Sequence, residues 1–154
     1  MKIIYVHHGN RAIKGKATQE DDLTDLGYRD CNLVAELLNN EKIKDNIKAI
    51  YSSNFFRCTK TAEIINTFLN VPIIEDDRLN EFGSIENESW VDAQKRIIDC
   101  LESIIKKFNA DDIVICVTSG VNIAGFICKS FNIEPNNQVP FLGVPSCSPI
   151  IFNF

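Results

Sequence analysis

The sequence predicts an α/β fold, a three-layer αβα sandwich with a mostly parallel central sheet, and three observations support this class. Short apolar runs alternate with stretches of helical periodicity along the chain. The 154 residues, of which 45% are hydrophobic and 24% charged, have the length and composition of one ordinary globular domain, residues 1–154. No repeat, low-complexity tract or linker interrupts the alternation. Strands that are joined through helices run parallel and are covered on both faces, which gives the three layers.

Five apolar runs are predicted to be the strands of this sheet. The first four lie at residues 2–7 (KIIYVH), 47–52 (IKAIYS), 71–75 (VPIIE) and 112–117 (DIVICV). The fifth lies within residues 145–154 (PSCSPIIFNF), which include two prolines. Because proline has no N–H to donate to a central ladder, we expect this last strand to lie at an edge.

Three of the predicted helices follow the second, third and fourth strands. The clearest opens at Ser89, with Asp92 at the offset of a capping box. Its apolar residues recur at spacings of three and four, and they are Trp90, Ala93, Ile97, Leu101, Ile104, Ile105 and Phe108. The other two are predicted through residues 57–69 (RCTKTAEIINTFL) and from about Val121.

A further helix is predicted after the first strand, within residues 23–40 (LTDLGYRDCNLVAELLNN), where Thr24 is able to cap it. Its leucines are expected on one side of the helix, and they are Leu26, Leu33, Leu37 and Leu38.

Charge and composition exclude several classes of function. The net charge is −5 and the pI about 5.0, which argue against nucleic acid or an anionic membrane surface as a partner. No apolar stretch reaches the roughly 18 residues of a membrane span, and the apolar run at the start is too short for a signal peptide. The six cysteines contain no C-x-x-C pair, so we interpret them as reduced thiols of a cytoplasmic protein. Nothing in the sequence singles out one of them as reactive.

Polar residues follow three of the predicted strands. They are His7–His8–Gly9 after the first, Ser52–Ser53 leading to Arg57 after the second, and Thr118–Ser119–Gly120 after the fourth. In open α/β sheets, ligands bind at the carboxyl ends of strands, where helix N-termini supply free N–H groups that suit anions. Arg57 adds a bidentate donor. The sequence therefore predicts an anion site at this edge of the sheet.

Three other motifs are weak. GNRAIKGKA at 9–17 is similar to a phosphate loop, but it has five residues between its glycines and Ala17 where a magnesium-binding Ser or Thr would stand. TSG at 118–120 lacks the glycines that flank a serine nucleophile. Two histidines and scattered acids give little support for a metal site, and we predict none.

Five segments together resemble the histidine phosphatase (phosphoglycerate mutase-like) superfamily. YVHHGN resembles its R-H-G motif, and LTDLGYRDCNLVAELL its L-T-x-x-G stretch and first helix. IYSSNFFRCTKTAEII is similar to its S-S-x-x-x-R-x-x-x-T-A-x-x-I segment, and RLNEFG to the segment with the catalytic glutamate. DDIVICVTSGVNIAGFI stands where the family has a strand that ends in S-H-G. The resemblance spans residues 2 to about 128 in the right order.

The resemblance implies a phosphomonoester hydrolase that works through a phosphohistidine and needs no cofactor. His8 would be the nucleophile, Glu81 the general acid and then the base, and Arg57 the clamp on the phosphoryl oxygens. Further phosphate contacts are implied at positions equivalent to His7, Asn10, Arg11, Ser119 and Gly120. The short chain leaves little room for cap insertions, so we expect an open site for a small phosphorylated metabolite or a phosphoprotein.

The sequence departs from the family pattern at two positions of the catalytic quartet. His7 replaces the arginine before the nucleophile, and Ser119 replaces the second histidine; in addition, Arg11 stands where a Ser or Thr commonly contacts phosphate. Removing one donor to a developing oxyanion typically costs about 10²–10³ in rate, so activity is expected to be weak or altered. Arg11, Arg78 or the Ser119 hydroxyl could compensate. The alternative is an inactive member that binds a phosphorylated ligand as a regulatory or binding module.

Each candidate residue also has a structural interpretation. His8 could be a buried histidine that only bonds the backbone, and Ser119 could be a helix N-cap. Arg57 and Glu81 could be ordinary surface charges. His7 could contact the ligand, as a protonated substitute for arginine, or merely fill space. Adjacent side chains of a strand face opposite ways, so both histidines reach one pocket only if the chain turns at Gly9.

Overall fold

The computed structural model describes residues 1–12, 18–133 and 143–154, and five strands of these residues form one sheet. In chain order the strands are β1 (Lys2–His7), β2 (Ile47–Ser52), β3 (Ile73–Glu75), β4 (Ile113–Thr118) and β5 (Pro149–Asn153). Their order across the sheet is β3-β2-β4-β1-β5. All neighbouring pairs are parallel except β1 with β5, which is antiparallel. The predicted α/β class with a mostly parallel sheet is confirmed, and so is the edge position of the last strand.

Within the described ranges, four helices cover the two faces of the sheet. They are α1 (Asp25–Leu38), α2 (Phe56–Ile65), α3 (Trp90–Lys107) and α4 (Gly120–Ser130). Ile4 and Val6 of β1 pack in the same core as α1 and α2, whereas Ile3 and Tyr5 pack in the core with α3 and α4. This alternation follows from the period of two along a strand, and it produces the three predicted layers.

The sequence predicted the caps of two helices correctly. Thr24 accepts a hydrogen bond from the backbone N–H of Gly27 at the start of α1. Ser89 and Asp92 form the capping box that starts α3. In both cases a side-chain oxygen satisfies backbone donors that the first helical turn leaves free, so local sequence fixes where the helix begins.

The orientation predicted for α1 was wrong. Leu26, Leu33 and Leu37 are exposed, and the buried residues of the helix are Gly27, Cys31, Val34, Ala35 and Leu38. The cause lies at Gly27, where a Cβ atom would stand 2.3 Å from the carbonyl oxygen of Asn10. The helix therefore turns its glycine, and not its leucine stripe, toward the chain that follows β1.

The sheet order brings the three polar strand ends together. His7 lies opposite Thr118 in the β1–β4 register, and Ser52 lies opposite Val117 in the β2–β4 register. Just beyond the strands, the backbone N–H of His8 donates to the Thr118 carbonyl at 3.0 Å. Within the described residues, no helix is long and apolar enough to cross a membrane. The weak phosphate-loop match at 9–17 lies partly outside these residues.

Candidate active site

His8 lies at the centre of the site, just past the end of β1, and it is buried. Its Nδ1 is 2.8 Å from the Gly9 carbonyl oxygen. Because a carbonyl oxygen only accepts, Nδ1 carries the proton and Nε2 keeps its lone pair in the neutral ring. Burial, followed by the neighbouring His7 ring, lowers the pKa of His8 to about 3. His8 is therefore a neutral imidazole at pH 7 with Nε2 available as a nucleophile.

Glycine at position 9 allows the close approach that holds this loop. A Cβ atom there would stand 2.7 Å from the Cys31 sulfur and 3.1 Å from the Gly27 carbonyl oxygen. The Gly9 N–H donates to Thr61 Oγ1 at 2.9 Å, and that hydroxyl donates to the Arg57 carbonyl at 2.7 Å. Thr61 thus connects the nucleophile loop, the segment after β1 that carries His8 and Gly9, to α2.

Arg57 connects the nucleophile with the candidate acid. Its side chain is fully buried in the first turn of α2, so it is not the surface arginine that the sequence left open. Its Nε donates to His8 Nε2 at 3.1 Å and its Nη1 to the Thr18 carbonyl at 2.8 Å, while Nη2 contacts a carboxylate oxygen of Glu81. A buried guanidinium needs such partners, since an unpaired charge in this position would be strongly destabilising.

Glu81 lies after a short 3₁₀ turn, Asp77–Leu79, with a side chain that is 30% exposed. Its carboxylate contacts Arg57 from the solvent side. It is thus neither fully buried nor the water-facing loop acid of the alternative interpretation. In this position a carboxyl group can exchange a proton with a ligand and still lie beside the guanidinium.

Two residues that the sequence analysis missed hold the backbone around Glu81. Asn122 of α4 is buried, donates from Nδ2 to the carbonyls of Asn80 at 2.7 Å and Leu79 at 3.0 Å, and accepts from the Phe82 N–H at 3.1 Å. Arg96 of α3 donates to the Asn80 carbonyl at 2.6 Å. A polar residue inside the apolar stretch VNIAGFI was the available signal for Asn122, because buried amides are normally hydrogen-bonded. Arg96 gave no such signal.

His7 shares the site with His8. Their ring centroids are 4.5 Å apart and both residues line one cavity. The two adjacent side chains therefore reach the same pocket, which the sequence allowed only if the chain turns at Gly9. His7 Nδ1 donates to the Val144 carbonyl at 2.7 Å, and its ring packs on Gly120, where a Cβ atom would stand 2.8 Å from the ring. Burial lowers the pKa of His7, so at pH 7 it is a neutral ring and not a substitute for the arginine charge.

The two candidate compensating arginines are engaged elsewhere. Arg11 lines the cavity of the two histidines, but it is ion-paired with Asp21 at 2.7 Å. Arg78 is held by the carboxylate of Asp76, with Nη2–Oδ2 at 2.6 Å, and it also donates to Ser103 of α3 at 3.0 Å. Arg78 therefore lies outside the site, whereas Arg11 could reach a ligand only by leaving its partner.

Asn10, Ser119 and Gly120 differ in their relation to this cavity. Asn10 and Gly120 line it, and the Asn10 side-chain oxygen accepts from the Thr24 hydroxyl at 3.1 Å. Ser119 is buried, and its hydroxyl oxygen accepts from the Asn122 N–H as the N-cap of α4. The capping interpretation of Ser119 is confirmed, and its side chain does not line the cavity.

Glu81 lies between two cavities. The smaller, of about 280 Å³, is the one lined by His7, His8, Asn10, Arg11 and Gly120. The larger, of about 440 Å³, is lined by Thr18, Gln19, Phe55, Phe82, Gly83 and Ser84. Glu81 lines both. Within the ranges that the structure describes, no group of three or more His, Cys, Asp or Glu side chains is placed to hold a metal ion.

Several solved structures share this fold. YhfR of Bacillus stearothermophilus superposes with a TM-score of 0.78 at 21% identity, covering 97% of this chain and 89% of its own. Phosphoserine phosphatase of Entamoeba histolytica gives 0.78 at 21% identity, with 99% and 90% covered. The protein histidine phosphatase SixA, solved with tungstate, gives 0.67 at 19% identity, with 83% and 75% covered. At these identities the likeness establishes the fold.

A comparison of the sequence with family models identifies the family. No curated protein matches the chain. The family model of the histidine phosphatase superfamily (branch 1) matches residues 3–89, which is more than half of the chain and includes His8, Arg57 and Glu81. With the fold, the matched segment and the phosphatases among its structural neighbours in agreement, this chain belongs to the histidine phosphatase superfamily.

Proposed function

We propose that the protein is a phosphomonoester hydrolase that transfers the phosphoryl group to His8 and then to water. The observation that carries the proposal is the contact of the neutral His8 Nε2 with Arg57, whose guanidinium also contacts Glu81. A nucleophile, a cation and a carboxyl group thus converge in one open cleft. These are the three groups that in-line phosphoryl transfer through a covalent intermediate requires.

In the first step, the phosphoryl oxygens replace His8 and Glu81 as partners of the Arg57 N–H groups. The lone pair of His8 Nε2 then forms a bond to phosphorus while the bond from phosphorus to the ester oxygen breaks. Glu81, displaced from Arg57 and carrying a proton taken up from solvent, gives this proton to the departing oxygen. The charge that remains on the Nδ1–H of His8 is stabilised by the Gly9 carbonyl oxygen, 2.8 Å away.

In the second step, water attacks the phosphohistidine. Glu81, now a carboxylate, takes one proton of that water as the new phosphorus–oxygen bond forms. The bond between phosphorus and Nε2 breaks and returns its electron pair to the ring. His8 is again a neutral imidazole and Glu81 again holds a proton, so inorganic phosphate and the free alcohol are the only products.

The two cavities suggest how a substrate is arranged. The phosphoryl group would occupy the smaller cavity beside His7 and His8, and the leaving group the larger one beside Phe55 and Phe82. Glu81 would then lie next to the bond that breaks. An opening of this kind accommodates a small phosphorylated metabolite or the phosphorylated side chain of a protein. Among the proteins of similar fold, the protein histidine phosphatase SixA is named for a phosphorylated protein side chain and phosphoserine phosphatase for phosphoserine.

A weak turnover fits the side chains of the cleft. His7 is neutral and Ser119 caps α4; if they stand at the positions of the arginine and second histidine, as the resemblance implies, each loss of a donor costs about 10²–10³ in rate. The same observation favours a second candidate function, a binding module that retains phosphorylated ligands without hydrolysing them.

The test is release of inorganic phosphate from a generic aryl phosphate by the purified protein. His8→Ala and Glu81→Gln are expected to reduce turnover to background. Glu86→Gln, at an exposed carboxylate five residues further along, is the matched control and should retain full turnover. Equal turnover in the parent and His8→Ala would exclude the hydrolase. If the parent then still bound the aryl phosphate in calorimetry and Arg57→Ala did not, the binding module would take its place.

A further inference from the structure

Two of the six cysteines lie in sulfur contact beside the nucleophile loop. Cys31 of α1 and Cys147, which precedes β5, are separated by 116 positions in the chain, yet their sulfur atoms are 3.4 Å apart. Both residues are buried, and Cys147 keeps 9% of its surface exposed whereas Cys31 keeps none. Nothing in the proposed hydrolysis uses these thiols.

We propose that Cys31 and Cys147 form a reversible oxidation site, which reacts with a hydroperoxide and closes to an intramolecular disulfide. A disulfide bond is about 2.05 Å long, so the two sulfur atoms, now 3.4 Å apart, need to approach by roughly 1.4 Å. Rotation about the two side chains, with a small movement of the turn at Cys147, supplies such a distance. The proposal does not depend on the hydrolase.

The backbone at Cys147 supports a pairing role. Its φ is 55°, in the left-handed region that residues other than glycine rarely adopt. Residues persist in such a conformation when surrounding contacts hold them there. Here the Cys147 N–H donates to the His7 carbonyl at 2.9 Å, and the side chain is directed at Cys31.

The chemistry assigns different roles to the two sulfurs. The contact with Cys147 lowers the pKa of Cys31, whereas the contact with Cys31 raises the pKa of Cys147. Cys31 is therefore the sulfur with the greater thiolate character, whereas Cys147 is the one of the two that keeps exposed surface. A hydroperoxide has to enter at the partly exposed Cys147 side, so we expect the first step to be slow.

The reaction balances without any further reagent. Cys31 attacks the hydroperoxide, a sulfur–oxygen bond forms, the oxygen–oxygen bond breaks, and the thiol proton leaves with the departing oxygen as water or an alcohol. Cys147 then attacks the Cys31 sulfenic acid, the disulfide forms, the sulfur–oxygen bond breaks, and the Cys147 proton leaves with the hydroxide as water. Two sulfurs lose two electrons together, and the peroxide bond gains them.

The disulfide would link α1 to the segment before β5, which lie on opposite sides of the nucleophile loop. Cys31 lies against Gly9 on one side, and Cys147 is bonded to the His7 backbone on the other. The segment of Cys147 also contributes Val144 and Ser146 to the smaller cavity. Oxidation would therefore fasten the wall of that cavity to α1, and this places the redox site next to the proposed phosphoryl site.

The test counts thiols after the folded protein has been exposed to hydrogen peroxide. The protein is denatured in the presence of an alkylating reagent and its mass is measured by mass spectrometry. Disulfide-bridged peptides are then mapped after digestion. We expect two of the six thiols to become protected, a single bridge between Cys31 and Cys147, and full recovery with dithiothreitol. Cys128→Ser, at another buried cysteine, is the matched control and should still form the bridge.

Variants of the pair test the assigned order. Cys147→Ser should accumulate a sulfenic acid at Cys31 that a 1,3-dione reagent labels, and Cys31→Ser should neither form a bridge nor take up the label at Cys147. Six free thiols after oxidation, a bridge mapped to another pair, or bridging only after denaturation would each overturn the proposal. An unlabelled Cys31 in Cys147→Ser would overturn the role given to its thiolate.

Discussion

The hydrogen bond from His8 Nδ1 to the Gly9 carbonyl decides how this histidine can react. It places the proton on the nitrogen that faces the backbone and leaves Nε2 facing Arg57. Burial then keeps the ring neutral, because a charged imidazole would lose more hydration than the site returns. The sequence left open whether His7 is a protonated substitute for arginine or only fills space, and it predicted a neutral His8 as the nucleophile. Burial lowers the pKa of both, and Nδ1 of each donates to a backbone carbonyl, so what distinguishes His8 is the contact of its Nε2 with Arg57.

At the residue scale we predict that His8 makes the fold sensitive to acid. Its pKa is about 3 in the folded protein, whereas an unfolded histidine has a pKa near 6.5. Between those values the unfolded chain binds the proton and the folded one does not, so stability falls as the pH falls. The contribution of His8 is expected to be roughly 1 kcal/mol per pH unit below about 6.

The measurement is urea unfolding of the parent and of His8→Gln at pH 7 and pH 5. The loss of unfolding free energy on acidification should be smaller in His8→Gln by roughly 1 kcal/mol or more. In parallel, the ring protons of His8 followed by NMR should keep the shifts of a neutral imidazole down to pH 5. A His8 ring that titrates near pH 6.5 would contradict the prediction directly.

At the scale of elements, the helices do more than cover the sheet. Asn122 of α4 and Arg96 of α3 both bond the backbone of residues 79–82, and Glu81 belongs to that segment. Local sequence predicted that these helices exist, because caps and spacing act over a few residues. It did not predict the orientation of α1, nor that Asn122 holds a distant segment, since both depend on what packs against the helix.

We predict that Asn122→Ala lowers turnover through the position of Glu81. The change removes the amide donor to the carbonyls of Leu79 and Asn80 and leaves the Phe82 N–H without its acceptor, and a buried group that loses its partner costs about 1–3 kcal/mol. The fold is expected to survive, because Arg96 still bonds Asn80. If the proposed hydrolysis is correct, kcat should fall about tenfold or more with little change in KM, as for an interaction made mainly in the transition state.

Steady-state kinetics and thermal unfolding of the same samples check this prediction. Asn32→Ala, at an exposed asparagine of α1, is the matched control and should leave both quantities unchanged. Asn122→Asp keeps the oxygen that accepts from Phe82 but loses the donors, so it should resemble the alanine variant in kcat. A loss of stability with unchanged kcat would mean that Asn122 supports the fold alone.

At the scale of the whole molecule, strand order assembles the site. β4 lies between β1 and β2, so polar residues more than a hundred positions apart meet at one edge of the sheet. The alternation of elements predicted a parallel sheet, and the strand-end residues predicted an anion site. The sequence could not provide the strand order or the pairing of Arg57 with Glu81. Those arise from packing between segments that are distant in the chain.

This assembly predicts that a phosphate-like anion stabilises the whole fold through Arg57. A ligand that binds only the folded state stabilises it by RT ln(1 + [L]/Kd), or about 2.7 kcal/mol at one hundred times Kd. Orthovanadate should therefore raise the unfolding midpoint of the parent, and the rise should shrink at high salt because Arg57 acts through its charge. Arg57→Lys retains a positive charge but loses the planar guanidinium that donates to two oxygens at once. Vanadate should therefore raise the unfolding midpoint of this variant less than that of the parent. Arg57→Ala, compared with its own midpoint without vanadate, should show almost no rise.

Arg29→Ala, at an exposed arginine of α1, is the control and should behave like the parent. An equal rise in Arg57→Ala and the parent would place the anion elsewhere and remove the basis for a phosphoryl site beside His8.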